Sequence, residues 1–174
     1  LTSENARVRI GKGNQALHRH HRIKLNPSKY QEACFIRSCG VSRFMWNKGL
    51  AYWNEQYDAG VKGLTGRKVR NHFNEIRREQ FPWSYEVTKW ATQRPLENLG
   101  DAFIRFFKKT SGRPKFKKKG RCKDSFYIGT DNLKISGKRL LIPHCGKVKM
   151  CEEVRFSGKP KSVTISREGS DWYA

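Results

Sequence analysis

The apolar residues of this chain change their spacing once, and the change falls on a single basic segment. From Tyr30 to about Phe107 they recur at helical intervals. From Ser125 onward they alternate in the short runs SFYI, LKIS, KRLLIP, KVKM, VRF and SVTISR, separated by Gly137, Gly146, Gly158 and Gly169. A helix buries one stripe with a period of 3.6 and a strand buries one face with a period of two, so no stretch satisfies both. The fold class that follows is α+β, with the second half forming a small antiparallel barrel or sheet.

One further strand precedes the helices. HRHHRIKL, residues 18–25, alternates basic residues with Ile23 and Leu25, and Asn26-Pro27 then supplies a capping residue and a proline at the first helical position. The expected architecture is a β-barrel interrupted by a helical bundle: a first strand at 18–27, helices over 28–110, and the remaining barrel with its basic ribbon over 111–174. Residues 1–17 are polar and aperiodic and are expected to form a flexible arm.

Four helices are expected. Ala33, Cys34, Phe35 and Ile36 mark the first, Gly40 its C-cap, and Val41, Phe44, Met45, Leu50, Tyr52 and Trp53 the second. Gly60, Gly63 and Gly66 break the pattern before a third helix from Arg67 to about Glu79. The fourth begins near Pro82, offers Val87, Trp90, Ala91, Leu96, Leu99, Phe103 and Phe107 to one face, and is kinked by Pro95.

Charge narrows the partner. The chain carries 37 Lys plus Arg against 15 Asp plus Glu, a formal +22, which calls for a polyanion. Ten of those cations fall between Arg105 and Lys123 with no acid among them. Pro114, Gly112 and Gly120 bend this ribbon and Phe116 offers an aromatic face, the combination that tracks a nucleic-acid backbone. A solvated basic loop is the alternative. Such contacts bring affinity without sequence information. Reading bases needs side chains that reach their edges, and Lys89 and Gln93 share one helix face beside Trp90.

Other chemistries find little support. The five cysteines are odd in number and lack CxxC spacing, which points to free thiols in a reducing compartment. The histidines of HRHHR are interleaved with arginine and suit phosphate contact better than a metal. Glu152 and Glu153 are adjacent, but no acid cluster suggests a Mg²⁺ site, and there is no nucleophile elbow or P-loop. No catalytic or metal-binding residue is assigned, and no apolar run reaches the roughly 20 residues of a membrane span.

Five segments in order carry a resemblance: RIKLNPSKYQEA, CGVSRFMWNKGLAYW, FPWSYEVTKWATQRPLENLGDAFIRFF, the basic element GRPKFKKKG, and KSVTISREGSDWY. Over residues 18–174 the chain resembles the N-terminal half of TnpB-type, transposon-encoded RNA-guided nucleases, relatives of type V CRISPR effectors. The resemblance implies a wedge β-barrel split by a recognition domain, holding a guide RNA and reading a short motif beside the target DNA. It places motif reading on Lys89, Trp90 and Gln93 of TKWATQ and on Thr130, Asp131 and Asn132 of GTDN. RNA or phosphate contacts are expected at Arg19, His20, Arg22, Arg43, Lys108, Lys109, Arg113, Lys115, Phe116, Lys117, Lys118, Lys119 and Arg121.

The family cuts with three RuvC carboxylates and Mg²⁺ and carries a zinc ribbon, all C-terminal to the part matched here, so Mg and Zn are expected outside these residues. Two departures are Pro95 and the HCG at 144–146, where relatives carry Leu-Gly. The expected partners are guide RNA and double-stranded target DNA, with self-association of the full-length protein, in a prokaryotic cytoplasm at the nucleoid. A nuclease-dead RNA-guided repressor and a structural RNA-binding protein remain as alternatives.

Overall fold

A computed structural model describes residues 19–158 and 160–174. The arm expected over 1–17 lies outside the described residues. In chain order there are a strand β1 (Lys24–Asn26), helices α1 (Lys29–Asp58), α2 (Gly66–Gln80) and α3 (Lys89–Phe107), and six strands. The strands are β2 (Ser125–Gly129), β3 (Lys134–Ser136), β4 (Arg139–Ile142), β5 (Gly146–Met150), β6 (Ser162–Glu168) and β7 (Asp171–Tyr173). The order β, then α, then β is as expected.

All seven strands pair antiparallel in one sheet of order β2-β6-β7-β1-β5-β4-β3. β2 and β3 are its edges, so the sheet is open and the closed barrel is not found among the described residues. β1 lies mid-sheet, with Leu25 opposite Met150 on one side and Trp172 on the other. β7 is likewise flanked on both sides, by β6 and β1, and is not an open edge.

Three helices replace the expected four, because α1 runs unbroken through Gly40. A glycine caps a helix by entering the left-handed region, and Gly40 is not among the glycines with positive φ. The apolar face continues across it through Cys39, Val41 and Met45, and that burial outweighs the roughly 1 kcal/mol that an internal glycine costs. The helix also starts later than expected. Ser28, not Asn26, is the N-cap: its Oγ accepts from Gln31 N–H while Gln31 Oε1 accepts from Ser28 N–H. Residues Pro82–Glu86 form a 3-10 turn, and α3 begins only at Lys89.

Pro95 lies inside α3 without ending it. Proline lacks the N–H that would bond the carbonyl four residues back, which is that of Ala91. Ser42 of α1 donates its hydroxyl to that carbonyl at 3.1 Å, so the missing bond is supplied from the neighbouring helix.

Helix packing depends on two close approaches. A Cβ on Gly49 of α1 would fall 2.5 Å from Leu96 of α3, and one on Gly100 would fall 2.6 Å from the Gly66 backbone of α2. Trp53 stacks on Phe103 at 4.1 Å between α1 and α3. Phe35 ties α1 to the sheet through Phe126 and Trp172. Of the face expected on the last helix, Val87, Ala91, Leu96, Leu99 and Phe103 are buried, whereas Phe107 is exposed.

The cysteines correct a further expectation. Cys34 of α1 and Cys145 of the β4–β5 turn are joined by a disulfide across 111 residues, and Cys39, Cys122 and Cys151 are free. Sequence spacing did not show the pair because the fold, not the chain, brings α1 onto that turn. Tyr30 and Gln31 donate to the carbonyls of His144, Cys145 and Lys147 at the same place. HCG thus forms the turn that α1 grips, with His144 at φ 65° and Gly146 at φ 82°.

Two of the helical glycines, Gly40 and Gly100, give opposite predictions. Gly40 has open space around its Cβ direction, so Gly40→Ala should raise unfolding free energy by about 0.5–1 kcal/mol. Gly100→Ala should lower it by about 1–3 kcal/mol through overpacking against Gly66. Urea denaturation of both variants measures this. A loss of stability in Gly40→Ala would contradict the unbroken helix.

Candidate nucleic-acid interface

α3 starts where β2 ends, and this places two distant segments in contact. Trp90 Nε1–H donates to Asp131 Oδ1 at 2.8 Å, and Lys89 Nζ is ion-paired with Asp131 Oδ2. The indole lies against Gly129, where a Cβ would come within 2.4 Å of the ring. Glycine is required there by the close approach, since its φ of −86° is ordinary. Tyr127 meets the indole edge-on at 5.4 Å, and Arg94 lies over the Tyr127 ring at 4.8 Å.

Asp131 therefore holds both donors at the start of α3. The Lys89 bond and then the Trp90 bond keep its carboxyl below the ordinary 3.8. Gln93 is one turn along from Lys89, half-buried, and makes no side-chain hydrogen bond among the described residues. The other two expected motif readers point elsewhere. Thr130 donates its hydroxyl to the Lys161 carbonyl, and Asn132 Oδ1 is buried without a partner among the described residues. Trp90, expected in the core, is only half-buried.

The basic ribbon is not a free loop. Asn47 of α1 donates through its amide to the Lys117 carbonyl at 2.9 Å and accepts from Lys117 N–H at 2.8 Å, satisfying both backbone groups as a strand neighbour would. Trp46 Nε1–H donates to the Lys115 carbonyl at 3.0 Å, and Asn54, two turns on, accepts from Arg113. Lys117 Nζ lies 4.0 Å over the Trp46 ring, and desolvation lowers its pKa.

Lys115, Phe116, Lys118, Lys119 and Arg121 are exposed, Phe116 by 55% of its surface, so its ring does not pin the ribbon to the fold. A turn closes the segment, with Arg121 and Cys122 N–H both on the Lys118 carbonyl and Gly120 at φ 77°. Lys108 caps α3, and Lys109 follows in the left-handed region at φ 56°.

The remaining expected cations are engaged. Arg43 is ion-paired with Asp124 at 2.8 Å and mostly covered. Arg22 lies over Tyr173 at 3.8 Å and pairs with Glu168, while Arg19 lies over Phe156 at 4.9 Å. His20 is exposed. No group of three or more His, Cys, Asp or Glu side chains that could hold a metal ion occurs among the described residues. Among them, too, no helix is long and apolar enough to cross a membrane.

Residues 17–62 match the family HTH_OrfB_IS605, a helix-turn-helix domain. The chain is 29% identical over 154 residues to an Escherichia coli (strain K12) protein named "Putative RNA-guided DNA endonuclease InsQ". These similarities are in line with the resemblance to TnpB-type proteins. The aligned region takes in 87% of this chain and 38% of InsQ, so the chain spans well under half of that relative. Within 17–62 the described residues form β1 and the unbroken α1, so two helices are not seen there.

Sequence reasoning missed Asn47, Asn54, Asp124 and Tyr127. The first two had a signal: Asn47 and Asn54 are seven residues apart on one helix face, beside a tryptophan. Asp124 and Tyr127 had none, since their partners Arg43 and Trp90 are remote in sequence.

The Asp131 contact predicts a pH dependence. A carboxyl whose folded pKa is lowered contributes stability above its unfolded value and loses it as pH falls through the folded one. The Trp90 indole N–H resonance should shift as pH falls, with a midpoint below the ordinary 3.8. Asp131→Asn should remove the transition, and a midpoint above 3.8 would contradict the contact.

Proposed function

We propose that these residues bind a guide RNA and read a short motif beside the DNA target, as part of a transposon-encoded RNA-guided DNA endonuclease. One observation carries the reading: Lys89 and Trp90 of α3 meet Asp131 of the β2–β3 connection, at the two segments where the resemblance locates motif reading. The name of InsQ and the matched domain support it.

The parts divide the labour. The ribbon fixed along α1 presents Lys115, Lys118, Lys119 and Arg121 outward as phosphate contacts, giving affinity without sequence preference. Lys89 and Gln93, on one face of α3, reach base edges: Gln93 suits adenine, and Lys89 suits guanine or a thymine carbonyl. Phe116 offers a stacking face for an unpaired base. Guide and target select the sequence by pairing, and the protein contributes the motif and the backbone contacts. Cutting with Mg²⁺ is assigned to parts of the protein outside these residues, and no catalytic step is derived from them.

Two outcomes test the division. Lys89→Ala and Gln93→Ala should each weaken binding to the preferred DNA motif by about 1–3 kcal/mol while sparing unrelated DNA. Equal weakening on every sequence refutes their reading role.

Neutralising Lys117, Lys118 and Lys119 together should weaken binding to all sequences. It should also flatten the slope of log K against log salt by about one unit for each phosphate that is no longer neutralised. An unchanged slope returns the ribbon to a solvated surface.

A further inference from the structure

A cleft of about 250 Å³ opens between α1, α3, the ribbon and the edge strand β2. Arg43, Arg94, Lys117 and Lys123 line it, and no acidic residue among those described does. The acids that accompany these cations stand behind them: Asp124 holds Arg43, Glu97 holds Arg94, and Glu168 holds Lys123. Among the described residues Lys117 has no acidic partner. Its ammonium rests on Trp46, so an incoming anion has no carboxylate to displace there.

The rest of the lining is suited to more than a bare anion. Tyr127 gives one wall, with its ring already in contact with Trp90 and Arg94. Asn98, Ser125 and Thr164 add neutral donors and acceptors. Cys39 also reaches the cleft, but burial pushes its thiol up to about 12, so it stays neutral and brings no competing negative charge. The volume falls just below the roughly 300–1,000 Å³ of sites for larger ligands, which limits the occupant to a single small unit.

We infer that this cleft receives one nucleotide of a single strand, its phosphate among Lys117, Arg43 and Arg94 and its base against Tyr127. The inference rests on the proposed function and deepens it. Tyr127 is the shared wall between the cleft and Trp90, so a strand passing the start of α3 has a fixed position for its neighbouring nucleotide. A phosphate and a stacking base are common to RNA and DNA, and the strand's identity is left to the test.

The test fills the cleft without touching a charge. Thr164 is exposed, lies opposite Tyr127 in the β2–β6 ladder, and tolerates an aromatic residue as a strand position. Thr164→Phe should weaken binding of short fluorescein-labelled single strands about tenfold, the equivalent of one charge-assisted hydrogen bond, at unchanged melting temperature. Uridine 5′-monophosphate should saturably quench aromatic fluorescence in the unaltered chain and not in the variant. Stronger competition by uridine than by thymidine monophosphate would identify RNA as the source, and the reverse DNA.

Full affinity in Thr164→Phe would overturn the inference, as would inorganic phosphate competing as well as either nucleotide. Should Thr164→Phe not fold, Asn98→Trp on the exposed face of α3 blocks the opposite wall and is read the same way. An unaltered chain that binds no nucleic acid at all would overturn the proposed function as well. A variant that keeps its affinity alongside a salt-sensitive parent overturns the cleft alone.

Discussion

The fold hangs on one helix. α1 spans 30 residues, about 45 Å, and α2, α3, β2, the ribbon and the β4–β5 turn are all placed against it. Its first turn is locked to the β4–β5 turn by Gln31 and the Cys34–Cys145 disulfide. Its middle meets α3 at Gly49, and its outer face carries the ribbon on Trp46, Asn47 and Asn54. Such a helix needs no great intrinsic propensity, because packing on several sides holds it. That is how a glycine in its interior is absorbed.

The same helix explains how α3 survives a proline. The Ala91 carbonyl, left without its intrahelical donor, is met by Ser42 across the α1–α3 contact. An internal hydrogen-bond defect has thereby become an interhelical bond. It also fixes the height of α3 relative to α1, and with it the position of Lys89 and Trp90 at the start of α3.

The order of elements was legible in the sequence because hydrophobic period depends on local geometry alone. Details set by remote neighbours were not. Gly40 reads as a cap from its own chemistry, yet whether glycine turns the chain depends on what packs at either side. Asn26 and Ser28 are equally good caps in isolation, and the pairing of Asn26 with Lys149 in the sheet decides between them. TKWATQ and GTDN were assigned one role through the family resemblance and not through spacing, and their contact was not legible from either. Thr130 and Asn132, grouped with Asp131 by that resemblance, separate from it because successive residues of a tight 3-10 turn face different directions.

The Asp131 carboxylate has one more consequence. It satisfies the Lys89 ammonium and the Trp90 N–H together, and these are groups that a base edge or phosphate would also seek. On the proposed reading, an incoming strand competes with an anion tethered at the spot, whose effective concentration never falls. A ligand that offers a single passing bond fails in that contest, and one that replaces both bonds while engaging Gln93 wins it. On the proposed reading, this carboxylate acts as an internal competitor, and weak, partial matches lose to it by exchange.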